Sequence, residues 1–186
     1  MIAPRALLGA FTALALVGAN NTATDVCITT DASGLVLAAG NHRTVLVTSP
    51  TSPSSTHRLA ASLAGDIRKT VPSSTVDVLN STSLSSLRAK PSGETWIVLG
   101  ALDESPLVNE AVNATGINVS GTRGQWEAWT IGKGVAGNSE VIVVAGADRR
   151  GTAYAAYTLS EQMGVSPWYW YAVFLPELVP SLTPLR

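Results

Sequence analysis

Apolar and polar positions divide this chain into an opening run and a series of short blocks. Ala6–Gly18 (ALLGAFTALALVG) is apolar almost throughout, Arg5 stands before it, and Asn20, Asn21 and Thr22 end it abruptly. A basic start, a short apolar stretch and fitting residues at Val17 and Ala19 make residues 1–19 read as a cleaved secretory signal peptide. A bilayer-crossing helix needs about 20 apolar residues, and this run is shorter. An uncleaved anchor or a buried first helix is the competing reading.

Beyond it the blocks alternate in period. Leu35–Ala39 (LVLAA) and Thr44–Thr48 (TVLVT), separated by Gly40-Asn41, read as a hairpin or two neighbouring strands. Ser49–Ser55 is a loop with two prolines. Leu59, Leu63 and Ile67 recur at i, i+4 and i+8 and predict a helix from about Thr56 to Thr70, stopped by Pro72. Thr75–Leu79 alternates as a strand, whereas Ser81–Pro91 is Ser-rich and undefined. Trp96–Leu99 (WIVL) is apolar on both faces, as a buried strand requires, and Gly100 closes it. Ser105 before Pro106 predicts an N-cap and a short helix through Leu107, Val108, Ala111 and Val112. Trp126–Ile131 is a strand candidate. Val141–Ala145 (VIVVA) is a buried strand that turns at Gly146-Ala147-Asp148 into a helix from about Arg149 to Met163, with Asp148 as cap and Gly164 as its end. That helix is apolar nearly all round. At about 100° per residue Gly151, Thr158 and Gln162 superimpose as its narrow polar stripe, with Glu161 beside it. Such a helix packs on a sheet and on a second body as well.

Strands alternating with helices predict an α/β domain: a single-layer mixed β-sheet flanked by helices, partly parallel. With 186 residues there is room for one ordinary domain, and with 46% hydrophobic residues it has material for a core. The formal net charge of −1 leaves no basic excess to neutralise phosphates, which argues against nucleic acid as a partner. Cys27 is the one cysteine, so neither an internal disulfide framework nor a Cys-based zinc site is available. Only His42 and His57 could add nitrogen ligands; no metal or other cofactor is expected. Secretion fits four sequons, at Asn20, Asn80, Asn113 and Asn118, as glycan acceptors on surface loops of an extracellular protein.

Candidate chemistry is sparse. There is no Gly-x-Ser-x-Gly elbow and no His-Glu-x-x-His. Gly146 to Thr152 imitates a phosphate loop, but Thr152 stands where the lysine belongs and Asp148 lies in the gap. Asp103-Glu104 before a helix are solvated or capping groups. Glu127 falls on the expected strand between Trp126 and Trp129. Glu161, on a buried helix, needs a cation, a hydrogen bond or an opening to water. No pair of carboxylates is placed by this pattern on one face at glycosidase spacing. Trp168-Tyr169-Trp170-Tyr171 is an aromatic run suited to stacking on sugar rings or to packing between domains. Tandem aromatics cannot all face one ligand, which favours packing.

Val143 to Trp170, with Gly-Ala-Asp-Arg-Arg-Gly-Thr at 146–152 and Ser-Glu-Gln-Met-Gly-Val-Ser-Pro-Trp-Tyr-Trp at 160–170, resembles the signature of glycoside hydrolase family 115, the xylan α-1,2-glucuronidases. Val119–Glu127 is similar to that family's Ser-Gly-x-Arg-Gly-Lys-Trp-Glu stretch, and Leu99–Leu107 to its Gly-x-x-x-x-Ser-Pro-Leu/Ile stretch. The resemblance spans roughly residues 30–172. It implies that residues 20–172 are the N-terminal α/β accessory domain of the kind that precedes a (β/α)8 barrel, with 173–186 a divergent tail. The barrel, which supplies most of the family's catalytic pocket, is not in this chain. No catalytic residue is therefore expected here, and the fragment alone is expected to be inactive. The resemblance implies glucuronoxylan as the partner. It makes Arg149, Arg150, Glu161, Trp168 and Trp170 the residues expected to border a uronic acid carboxylate, for which a bidentate arginine is the natural partner. The competing function is a free-standing carbohydrate-binding module that uses Trp168–Tyr171. A small enzyme with its own site is the weakest reading, because no self-sufficient constellation is present.

Overall fold

The computed structural model describes residues 26–27, 36–39, 42–85, 94–166 and 181–184. The elements run β1 (Val26–Cys27), β2 (Ala38–Ala39), β3 (Arg43–Thr48), α1 (Ser54–Thr70), β4 (Thr75–Asn80), β5 (Glu94–Ala101), α2 (Pro106–Thr115), β6 (Trp129–Ala136), β7 (Ser139–Gly146), α3 (Arg149–Gln162) and β8 (Ser181–Pro184). A sheet of five strands has the order β4-β3-β5-β7-β6. Its first four strands are parallel, and β6 runs antiparallel to β7. The fold is therefore the expected α/β domain with one mixed sheet flanked by helices.

Aliphatic runs build the sheet because both of its faces are covered. Alternate residues serve two cores. Leu46, Ile97, Leu99, Ile142 and Val144 face α1 and α3, while Val45, Val47, Trp96, Val98 and Val143 face α2. Parallel register keeps each set in line: Val45 lies opposite Trp96, and Trp96 opposite Val141. Since β3 leads through α1 to β4 on one side while β5 pairs on the other, the order in which strands are added to the sheet reverses at β3 and β5. The carboxyl ends of these strands and of β7 form the edge where open α/β sheets place their sites.

The helices form largely where the pattern put them. On α1 the buried positions are Thr56, Ala60, Leu63, Ala64, Ile67 and Thr70, with Leu59 at their margin. Its centre holds Gly65, beside which a methyl group would meet nothing within 4 Å. Gly65→Ala is expected to raise stability by about 0.5–1 kcal/mol, the helix-propensity difference; a lower urea midpoint would contradict the open space there. On α2 the Ser105 side chain accepts from the Val108 N–H at 3.3 Å and Pro106 follows, as the sequence indicates; Gly116 at φ 70° ends the helix.

Four expectations change. Residues 38–39 and β3 do not form a hairpin: β2 pairs with β8 and β1 with β8, a separate small antiparallel sheet. Gly100 lies inside β5 rather than closing it, because its missing side chain admits Val108, whose Cγ2 would lie 3.0 Å from an added Cβ. The expected strand at 126–131 begins at Trp129 and continues to Ala136, leaving Trp126 and Glu127 in a turn. Its second half carries Gly132 and Gly134. Both are close approaches to α2, since Cβ atoms there would lie 2.7 Å from Ile117 and 2.6 Å from Thr115. Finally, α3 is buried on one face only, through Gly151, Thr152, Ala155, Ala156, Leu159 and Ser160. Tyr154 and Tyr157 are exposed.

Residues 1–19, Asn20, Trp168 and Trp170 lie outside the described residues, as does most of 173–186; within that tail β8 is the described part. No helix among the described residues is long and apolar enough to cross a membrane.

Candidate functional site

The site is assembled where β7 runs into α3. Gly146 ends the strand and Asp148 caps the helix, its Oδ1 accepting from the Gly151 N–H at 2.8 Å. Its Oδ2 accepts from the Glu127 N–H at 3.0 Å, so one carboxylate ties the 125–128 turn to the helix start. These bonds hold the Asp148 carboxyl below its ordinary range: the Gly151 N–H contributes most, burial opposes it, and the backbone N–H groups of Glu127 and Arg150 add to it. The Ala147 N–H donates to Ala128 O at 2.8 Å, and Gly151 allows that carbonyl to sit where its own Cβ would be, 2.3 Å away. The phosphate-loop likeness has a physical counterargument here. The Gly151 N–H that an anion would need is already engaged by Asp148.

Around this clamp stand Trp126, Glu127, Arg150 and Tyr154. Glu127 has φ 56°, the one left-handed non-glycine residue among those described. Arg150 Nη1 lies 2.9 Å from Glu127 Oε1, an ion pair whose angle misses hydrogen-bond geometry, so charge attraction holds it. The Arg150 guanidinium sits 5.8 Å from the Trp126 ring centroid, and its Nη2 donates to Tyr154 Oη at 3.3 Å. Trp126 is 79% exposed.

Arg149 and Arg150 diverge although adjacent. Arg149 Nε donates to both carboxylate oxygens of Glu104, at 2.8 and 3.1 Å. It lines a cleft of about 340 Å³ between the N-terminal halves of α1 and α3, with Arg58, Leu59, Ser62 and Tyr157. Glu161 is not brought to either arginine. It is exposed, eleven residues beyond Arg150 on α3, about 16 Å along the axis. Of the three expected ways to accommodate its charge, a cation, a hydrogen bond or an opening to water, its exposure supplies the last. Trp126, Glu127 and Tyr154 were missed as a group. Trp126-Glu127 was visible in the sequence but assigned to a strand, and a left-handed glutamate has no sequence signature.

At the carboxyl ends of β3 and β4 the Thr48 hydroxyl donates to Asn80 Oδ1 at 2.8 Å. That leaves Thr48 as acceptor for His57 Nδ1, 3.0 Å away. Of the sequon asparagines, Asn80, Asn113 and Asn118 are exposed. Asn113 lies on α2 and Asn80 at the end of β4, not on the loops expected for them; Asn118 is in a loop, its Oδ1 accepting from the Ser120 N–H at 3.0 Å. Among the described residues no group of three or more His, Cys, Asp or Glu could hold a metal ion.

No protein-family profile matches this chain, and no curated protein does. Among solved structures it is similar to a family GH115 4-O-methyl-α-glucuronidase with specificity for decorated arabinogalactans. The identity is 26% and the TM-score 0.60, over 82% of this chain and 17% of that one. The chain thus spans 17% of the length of the enzyme it resembles, and the likeness is to one GH115-like, glycosidase-related domain.

Proposed function

We propose that this chain is the N-terminal accessory domain of a secreted, extracellular glycosidase that removes 4-O-methylglucuronic acid side chains from glucuronoxylan, and that it has no hydrolytic activity by itself. The observation that carries the reading is the likeness of 82% of the chain to 17% of a GH115 enzyme. A small part of a long enzyme is what an accessory domain resembles.

The exposed face of α3 supports it. Arg150, Tyr154, Tyr157 and Glu161 recur at i, i+4, i+7 and i+11 and form one solvent-facing stripe. Aromatic residues left open on a helix are the surface a further protein body covers. The reading makes the catalytic barrel that body, with Arg149 and Arg150 at its rim. The test is incubation of the purified chain with glucuronoxylan and with decorated arabinogalactan. No release of 4-O-methylglucuronic acid is expected; release from either polysaccharide would show a self-sufficient site and overturn the reading.

A further inference from the structure

We infer that Trp126, Glu127 and Arg150, with Tyr154 behind them, form a subsite for a neutral pyranose ring of a polysaccharide backbone. The inference rests on the glycosidase-related reading and adds to it a ligand class and residues.

The indole is presented, not merely uncovered. Asp148 holds the Glu127 N–H, Ala147 holds the Ala128 carbonyl, and Gly151 lets that carbonyl approach the helix. These contacts impose the left-handed backbone at Glu127, a conformation that persists in a non-glycine residue only where the surroundings enforce it. The turn that carries Trp126 is thereby fixed to the rigid start of α3 while the side chain remains 79% exposed. Arg150 covers one face of the ring and leaves the opposite face open.

The surrounding groups select the ligand. Stacking on the open indole face suits the C–H face of a pyranose. Beside it stand a carboxylate that accepts and a guanidinium that donates, the pair a ring's hydroxyls need. Arg150 is already neutralised by Glu127 at 2.9 Å, so the subsite carries no surplus positive charge to recruit an anionic sugar. An apolar protein surface would desolvate both charges without hydrogen-bonding them; sugar hydroxyls replace the lost water.

The probe is the indole N–H signal of Trp126 in a ¹H–¹⁵N spectrum of the full chain, assigned by its loss in Trp126→Phe. It is titrated separately with xylohexaose and with a galacto-oligosaccharide, which distinguishes the two backbone sources. The expected result is a saturable shift of that signal with at least one of them. Trp126→Ala should weaken binding at least tenfold, with the remaining spectrum unchanged, and Trp126→Phe should retain most of the affinity. Binding that Trp126→Ala leaves intact overturns the subsite and leaves the glycosidase-related reading in place. Silence of the Trp126 signal toward both sugars also overturns it, whereas the accessory-domain reading fails only on its own assay, by release of 4-O-methylglucuronic acid.

Discussion

Gly146→Ala should cost the domain about 3 kcal/mol, near the upper end for overpacking a close-packed interior. An alanine Cβ at this position would lie 2.0 Å from the Thr152 N, 2.4 Å from the Gly151 carbonyl carbon and 2.6 Å from the Asp148 O. All three are backbone atoms of the first turn of α3, so no rotamer change relieves the contact. The strand cannot yield either. Gly146 faces Ala101 in β5 and Trp129 in β6, and its carbonyl accepts from the Leu102 N–H at 2.8 Å. The helix must therefore lift away from β7 and give up part of the packing of Ala155, Ala156 and Leu159. For a chain of this size the loss corresponds to a melting point lower by about 9 °C. Urea unfolding followed by far-UV circular dichroism measures it. An unchanged midpoint would mean that the close approach at the strand–helix junction is not a feature of the folded chain. Gly65→Ala is the internal comparison, with the opposite sign.

Asp148→Ala should destabilise by about 2 kcal/mol, the upper range for loss of an N-cap. The extra weight comes from the second bond: without the carboxylate, the Glu127 N–H loses its partner in a strained conformation. The effect carries a pH signature. The folded Asp148 carboxyl titrates below its ordinary value of 3.8, chiefly because the Gly151 N–H bonds its charged form. The stability it contributes is thus fully present above 3.8 and is lost as the pH falls through the lower, folded value. The free-energy gap between the parent chain and Asp148→Ala should stay constant from neutral pH down to about 4 and then narrow. Glu140 works in the other direction, its carboxyl pushed up by burial against the opposing pull of Lys133, but both chains carry it and the comparison cancels it. A gap that narrows between pH 7 and 5, or that never narrows, would contradict the assigned role.

The elements that were legible in the sequence are those in which local chemistry and tertiary packing agree. Val141–Ala145 could only be a buried strand, Ser105-Pro106 could only start a helix, and Asp148 follows a strand as a cap should. The misread elements are those where a residue has two physical uses. Gly100 reads as the end of its strand because glycine weakens strands, and Gly132 and Gly134 lie past the expected end of theirs, yet all three sit within strands and admit Val108, Ile117 and Thr115. The polar stripe of α3 reads from the sequence as Gly151, Thr158 and Gln162, yet Gly151 is buried and the side open to solvent carries Tyr154 and Tyr157. The arginine pair was found through its resemblance. That adjacent arginines serve different partners, Glu104 and Glu127, depends on contacts 45 and 23 residues away in sequence, and no local pattern encodes it.

The central claim is that this domain serves a larger glucuronidase. It is tested most directly by sequencing the transcript through and beyond the codon for Ala172. The account predicts a transcript whose frame continues into a (β/α)8 barrel. Transcripts that all stop after Arg186 would contradict it and leave a barrel-less domain whose activity would have to be sought in sugar binding at Trp126.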